Sequence, residues 1–304
     1  MSEFVNKRSR KIKLSTDDKI FYAVVNIVLT LVLLIVAYPL IYIVSASFSE
    51  RSAILSGQVW LYPVGFSLEG YGEIFKNKDI WTGYGNSMLY TVFGTALNVF
   101  FTMVCAYPLS KRGLPYKKQI MFLFTFTMFF NGGMIPNYML MKNLHLINTR
   151  LVMIIPGLIS VYNMIIARTF ISNSIPYELW EAAQVDGCSN TRYFFQMVLP
   201  LSKAVIAVLA LYYAIGHWNA YFNAMLYLSD RSMYPLQLFL REILISNTLS
   251  EATGMDPELL AAKQGLADLL KYCLIIVATV PVLIAYPFVQ KYFATGVMLG
   301  SVKG

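Results

Sequence analysis

Side chains able to do chemistry are few in this sequence, and the most suggestive of them share one short stretch. Glu178, Glu181 and Asp186 follow one another within Ser174-Ile-Pro-Tyr-Glu-Leu-Trp-Glu-Ala-Ala-Gln-Val-Asp-Gly187, while His145 and His217 stand on separate segments. Cys105, Cys188 and Cys273 are scattered, with neither metal-ligand nor disulfide spacing, and read as small buried hydrophobes. No Gly-x-x-x-x-Gly-Lys-Ser/Thr phosphate loop occurs, so nucleotide binding by this chain is not expected. An enzyme would need acids, histidines or metal ligands converging on one place. The three carboxylates could pose as paired acids, but the helix that carries them has a complete non-catalytic explanation, so no catalytic residue and no resident metal or cofactor is expected.

That explanation begins with local structure. Pro176 suits a first helical position, Glu178 sits where the helix dipole favours an anion, and Gly187 is placed as a stop. The intervening helix is about eleven residues, roughly 16 Å long. Leu179, Ala182, Ala183 and Asp186 share a face at i, i+3, i+4, i+7 spacing, with small residues at its middle where another surface can approach the backbone. Ser189 can cap a second short helix from Asn190 to Val198, closed by Pro200 before the next apolar run. The pattern predicts a compact helix–turn–helix knob built to dock.

The elements that hold this knob are apolar. Of 304 residues 57% are hydrophobic and only 13% charged, with mean hydropathy +0.57. Soluble domains carry about 25% charged residues, so this surface needs lipid as its solvent. Six stretches are long enough to cross about 30 Å of hydrocarbon as helices: 21–44, 87–109, 120–141, 151–171, 203–226 and 272–292. The fold expected is an all-α polytopic bundle. The first stretch exceeds a secretory h-region and reads as a retained anchor. The formal charge of +8 lies in short segments between apolar runs, which points to membrane topology and not to nucleic acid. Lys7, Arg8, Arg10, Lys11, Lys13 and Lys19 precede span one; Lys111, Arg112, Lys117 and Lys118 follow span two; Arg168, Arg192 and Lys203 flank the knob. The opposite side carries fewer basic residues, in longer, acid-balanced loops, so both termini and the knob are expected in the cytoplasm. Two long external segments, 48–86 and 229–271, are expected there, the second with an amphipathic helix whose Leu236, Phe239, Leu240, Ile243 and Leu244 share a face.

Polar groups at membrane depth are costly and usually face a cavity or another helix. Asn98, Asn131, Asn137, Asn163, Tyr90, Tyr213, Trp218, Asn219 and Asn223 qualify. For any one of them interhelical hydrogen bonding is the commoner role; as a collection, amides and aromatic faces suit a sugar. Gly132, Gly133 and Pro136 interrupt the third span and free backbone groups that need partners.

Glu181-Ala182-Ala183, then Gly187, then Leu199-Pro200 at their fixed separations resemble the EAA loop of ABC importer permeases, with Met197 where isoleucine is usual and Asp186-Gly187 as in the sugar-transporter version. Trp218-Asn219 with Phe222 resembles a Trp-Asn-x-x-Phe pattern of the same permeases, and residues 296–304 resemble the tail of the maltose-type second permease. Asn131-Gly132-Gly133-Met134-Ile135-Pro136 resembles a subgroup handling oligosaccharides. The resemblance runs from about residue 15 to the end. It implies a type I ABC importer permease fold over 20–295 in the cell membrane, with a basic tail at 1–19, a coupling loop at 174–200 and a C-terminal tail at 296–304.

The same resemblance implies a transport subunit, not an enzyme, forming half of a translocation pathway for a sugar or oligosaccharide. Its partners would be a second permease, two ATPase subunits that hold ATP and Mg, and an extracellular solute-binding lipoprotein. Tyr177, Leu179, Glu181, Ala182, Ala183, Asp186 and Gly187 would seat in the ATPase, and Gly300, Val302 and Lys303 would reach between its subunits. Asn131, Asn137, Asn163, Tyr213, Trp218, Asn219 and Asn223 would line the substrate path. A secondary carrier or channel without an ATPase partner is the rival, but carriers usually put ionisable residues inside their spans.

Overall fold

The structure is a computed structural model that describes residues 15–249 and 257–301. Among the described residues it is built of helices without strands. Helix α1 (Thr16–Ser47) starts behind Ser15, whose backbone N–H donates to the Asp18 carboxylate at 3.2 Å. Its apolar side chains are exposed nearly all round until Ser45, as suits a helix facing lipid or another chain. Two short helices follow, α2 (Arg51–Leu55) and α3 (Glu69–Lys76). Helix α4 (Lys78–Ser110) begins where the Asn77 side chain accepts from the Asp79 N–H at 2.9 Å, so span two starts nine residues before the predicted boundary. Charge did not stop it because that first turn lies beyond the apolar run, where a cap supplies the lost partners.

The third, fourth and fifth spans are not single rods. Helices α5 (Lys117–Phe129) and α6 (Met134–Asn143) meet at 112°. At the break Asn131 Oδ1 accepts from the Gly133 N–H at 2.9 Å, and Gly133 has φ +89°, a left-handed conformation that a side chain would strain. Two 3₁₀ turns, Arg150–Met153 and Ile155–Gly157, precede α7 (Val161–Ser174) at 51°, since Pro156 cannot continue a helical ladder. The knob helices α8 (Tyr177–Val185), α9 (Asn190–Tyr193) and α10 (Leu199–Leu201) lead through an 80° bend into α11 (Lys203–Trp218). That span stops eight residues short of the expected end, because the Asn219 side chain bonds back to the Ile215 carbonyl at 3.0 Å and a separate α12 (Phe222–Tyr227) follows.

Helix α13 (Leu236–Leu249) is the expected amphipathic element. Its Leu236, Phe239 and Leu240 are buried against the bundle, so the apolar face packs on α4 and α14 instead of lying free on a surface. The last helix, α14 (Pro257–Ser301), runs past both ends of the predicted sixth span and enters the segment expected as a tail. Among the described residues three helices are long and apolar enough to cross a membrane, or up to six spans if each bent pair counts as one.

Helix α4 is the axis, packed by α7, α11 and α13, while α14 gathers α1, α2, α3, α11 and α13. The approach of α13 to α4 is close at Gly83, where an added Cβ would come within 2.9 Å of the Leu236 Cα, a backbone atom that cannot rotate away. Gly83→Val is therefore expected to cost about 1–3 kcal/mol and to lower the thermal midpoint of the purified protein. An unchanged midpoint would mean that α13 is free to lift.

Candidate functional site

The knob sits at the end of the bundle marked by the C-terminus of α4. Helix α8 ends in a Schellman turn: the Cys188 N–H donates to the Ala183 carbonyl at 2.8 Å, the Gly187 N–H to Gln184 at 3.0 Å, and Gly187 takes φ +69°. The helix has nine residues, shorter than predicted, because Pro176 stands one position before it and Asp186 is already its cap. The Ser189 side chain accepts from the Arg192 N–H at 3.2 Å, as expected of a cap. The second helix does not end at Pro200. Residues Phe194–Val198 form a π turn that runs on into α10, whose altered register accommodates Pro200 inside the helix, and the break comes at Ser202.

Of the four residues expected to share one face of α8, Leu179, Ala182 and Asp186 are exposed and Ala183 is turned inward. Ala183 is 9% exposed and packs with Ile171, Tyr193, Phe194 and Val198. Glu178, Glu181, Ala182 and Val185 share the opposite, solvent-facing stripe at i, i+3, i+4, i+7 spacing, and Val185 is 88% exposed. Leu179 and Asp186 flank that stripe, and Tyr177 meets the Arg112 guanidinium 4.8 Å from its ring centre. Beneath the helix, Trp180 meets Tyr193 edge-on at 4.9 Å, Tyr107 of α4 packs on Phe194 at 5.3 Å, and the Lys111 ammonium lies 3.5 Å from the Trp180 ring centre. Lys111 also donates to the Asn190 side chain. This aromatic plate fixes the knob to α4, the axis of the bundle. Trp180 was not singled out in the sequence; its place beside Glu181, with Tyr193 a turn of the second helix away, was the available signal.

The polar groups at depth fall into separate sets. Asn98 (2% exposed) donates to the Gly157 carbonyl at 2.6 Å, and its Oδ1 stands 3.3 Å from His217 Nε2. The Tyr213 hydroxyl lies 2.7 Å from Thr102 Oγ1 and accepts from the Ser160 N–H at 2.9 Å. Asn98, Tyr213, His217 and Asn223 line one cavity of about 190 Å³. The His217 ring occupies the space that a Cβ at Gly94 would need, which is why a helix this bulky can approach α4. His217 stood in the sequence only as one of two isolated histidines and was not among the pathway candidates; its position directly before Trp218-Asn219 was the available hint.

On another side of α11, Trp218, Asn219, Gln237 and Lys271 line a cavity of about 370 Å³, with Trp218 anchored by its indole N–H on the Ala278 carbonyl at 3.0 Å. Asn131 and Asn137 are exposed together at the break in span three. Asn163 is buried in the first turn of α7, and Tyr90 is bound to the Met233 carbonyl; neither borders these cavities. Gly300 is in the last turn of α14, whereas Val302 and Lys303 lie outside the described residues, as does the basic segment before Ser15. Between Asp79 and Lys111, α4 holds no ionisable Asp, Glu, Lys or Arg, which disfavours an ion-coupled carrier.

Comparison with known proteins agrees with this architecture. The chain is 41% identical over 271 residues to the Bacillus subtilis polygalacturonan/rhamnogalacturonan transport system permease protein YtcP, covering 89% of this chain and 94% of that one. It is 40% identical over 267 residues to the B. subtilis protein LplC, covering 88% and 89%. A solved chain from a bacterial ABC transporter involved in the import of the acidic polysaccharide alginate superposes with a TM-score of 0.83 at 33% identity, covering 93% of this chain and 99% of that one. Residues 13–299 match the family described as binding-protein-dependent transport system inner membrane component. A multi-pass bundle with an EAA loop at one end, matched over nearly its whole length, belongs to that family of ABC importer permeases.

Proposed function

We propose that this chain is one of two permease subunits of an ATP-driven importer and forms half of the path for an oligosaccharide handed over by an extracellular binding protein. The observation that carries the coupling is the exposed stripe Glu178, Glu181, Ala182 and Val185 on a helix riveted to α4. It offers two carboxylates and an apolar tip to a cleft on an ATPase subunit, with both termini on the ATPase side of the membrane. ATP and Mg belong to that partner. Closure of the ATPase dimer would move the knob as a rigid body and rock the bundle between inward-open and outward-open states.

The cargo we infer is an acidic oligosaccharide. Relatives named for polygalacturonan, rhamnogalacturonan and alginate support this. The two cavities that flank α11 supply amides for hydroxyls and Lys271 and His217 as groups that can meet a carboxylate. Proteoliposomes holding the whole complex should take up labelled oligogalacturonide when ATP and binding protein are present, in preference to a neutral arabino-oligosaccharide. Asn223→Ala, an exposed cavity residue with no described hydrogen bond to lose, should raise the KM for uptake about fivefold without shifting the thermal midpoint. Equal uptake of the neutral sugar would sink the acidic assignment, and uptake without ATP would sink the importer.

A further inference from the structure

Beside the knob lies a cavity of about 550 Å³, reached from the flank of α8 that carries Tyr177 and Glu178. Four basic residues border it: Lys111 and Arg112 from the turn after α4, Lys117 at the start of α5 and Arg168 from α7. Their hydrogen bonds go to neutral acceptors. Arg168 donates to the Leu109 carbonyl at 3.0 Å and Lys117 to the Lys111 carbonyl at 2.9 Å. Every ion pair among the described residues lies at the opposite end of α4: Arg51 with Glu69, Lys76 with Glu73, and Arg231 with Asp79 and Glu242. Glu178 also borders the cavity, yet none of the four cations is paired with it. Among the described residues these four cations are thus in no direct ion pair.

Tyr107, Tyr177, Trp180 and Tyr193 add an aromatic side to the wall, and the Tyr107 hydroxyl is buried with no hydrogen-bond partner. From Lys117, α5 continues directly into exposed Phe122, Leu123, Phe126 and Phe129. The cavity therefore opens at the polar end of a lipid-facing helix, at headgroup height. Burial pushes the Lys111 ammonium below its ordinary pKa, the cost of a cation held without an anion.

We propose that this cavity is a phosphate-binding site that takes the phosphodiester headgroup of an anionic phospholipid, with Arg112, Lys117 and Arg168 as its donors. Basic pockets between spans recognise such headgroups through these charge-assisted bonds. A lipid seated there lies against Trp180, so it braces the plate that carries the knob.

The test is native mass spectrometry of the purified transporter complex after reconstitution in an equal mixture of phosphatidylglycerol and phosphatidylcholine. The intact complex should retain phosphatidylglycerol in preference. Arg112→Gln with Lys117→Gln should cut that retention about tenfold, since each cation near the surface contributes about as much as a several-fold change. Arg112→Lys with Lys117→Arg keeps the charge and should restore retention, which separates ligand loss from a folding defect. Lys111 is left intact because it ties the knob to Asn190.

Displacement of the lipid by millimolar inorganic phosphate would keep the phosphate site but overturn the lipid as its source. Equal retention of both lipids, or retention unchanged in the glutamine pair, overturns the site itself. If the glutamine pair loses its ATPase subunits while retaining the lipid, the cations serve a protein partner and the proposal fails.

Discussion

Gly187→Pro is expected to abolish coupled uptake, by about 100-fold or more, while the protein still inserts and still assembles. Gly187 holds φ +69° and donates its N–H to Gln184, and proline can do neither, having φ near −65° and no N–H. The Schellman turn then opens, and α8 is no longer held at a fixed angle to α9. Substitutions at the same site distinguish a conformational role from a contact. Nothing lies within 4 Å of the position a Cβ would take at Gly187, so alanine meets only the left-handed penalty of about 1–2 kcal/mol. Asparagine is larger but tolerates that region better. Uptake should therefore fall in the order Gly, Asn, Ala, Pro, with ATP hydrolysis persisting after transport is lost. Should asparagine prove worse than alanine, size at a protein contact is what matters and the turn is not the cause. The measurement is labelled-substrate uptake set against phosphate release in the same vesicles.

What could be read before the fold was known follows from how local each signal is. Ser189 as a cap and Gly187 as a stop are properties of four or five consecutive residues, and both hold. Six apolar runs also need only window-length information. Which side of α8 faces solvent is not local. The i, i+3, i+4, i+7 rule gave Leu179, Ala182, Ala183 and Asp186 as a set, but any helix has several such sets. The choice is made by Tyr107, Tyr193 and Phe194, whose aromatic plate draws Trp180 and Ala183 inward. The break in span three was visible in Gly132, Gly133 and Pro136, while those in spans four and five were not anticipated. The bend angles were not visible in any of the three, because they depend on which carbonyls find partners, such as Gly157 with Asn98, 59 residues away. Tyr213 and Trp218 looked like sugar-stacking groups by composition. Tyr213 is instead tied to Thr102 and Ser160, and Trp218 to Ala278, so both frame cavities more than they offer free groups to them.

Asn98→Leu tests that framing role where it is strongest. The substitution keeps much of the volume but removes the donor to the Gly157 carbonyl and the acceptor facing His217. Gly157 ends a 3₁₀ turn before the 51° bend, so its carbonyl has no helical partner to fall back on. Hydrogen bonds between membrane helices average about 0.6 kcal/mol, with the best near 1.7 kcal/mol. Losing two, with one buried carbonyl left unmet, is expected to cost about 2–3 kcal/mol and to lower the thermal midpoint by roughly 5 °C. Uptake should drop at least tenfold, since Asn98 lines the cavity shared by Tyr213, His217 and Asn223 and holds His217 in it. His217→Leu alone removes only one of the two interactions. If Asn98 and His217 act as a pair, the double variant costs little more than Asn98→Leu, a coupling of about 0.5–3 kcal/mol in a thermal or denaturant cycle. Strict additivity would mean that the imidazole and the amide do not speak to each other, and that His217 meets α4 only through its fit at Gly94.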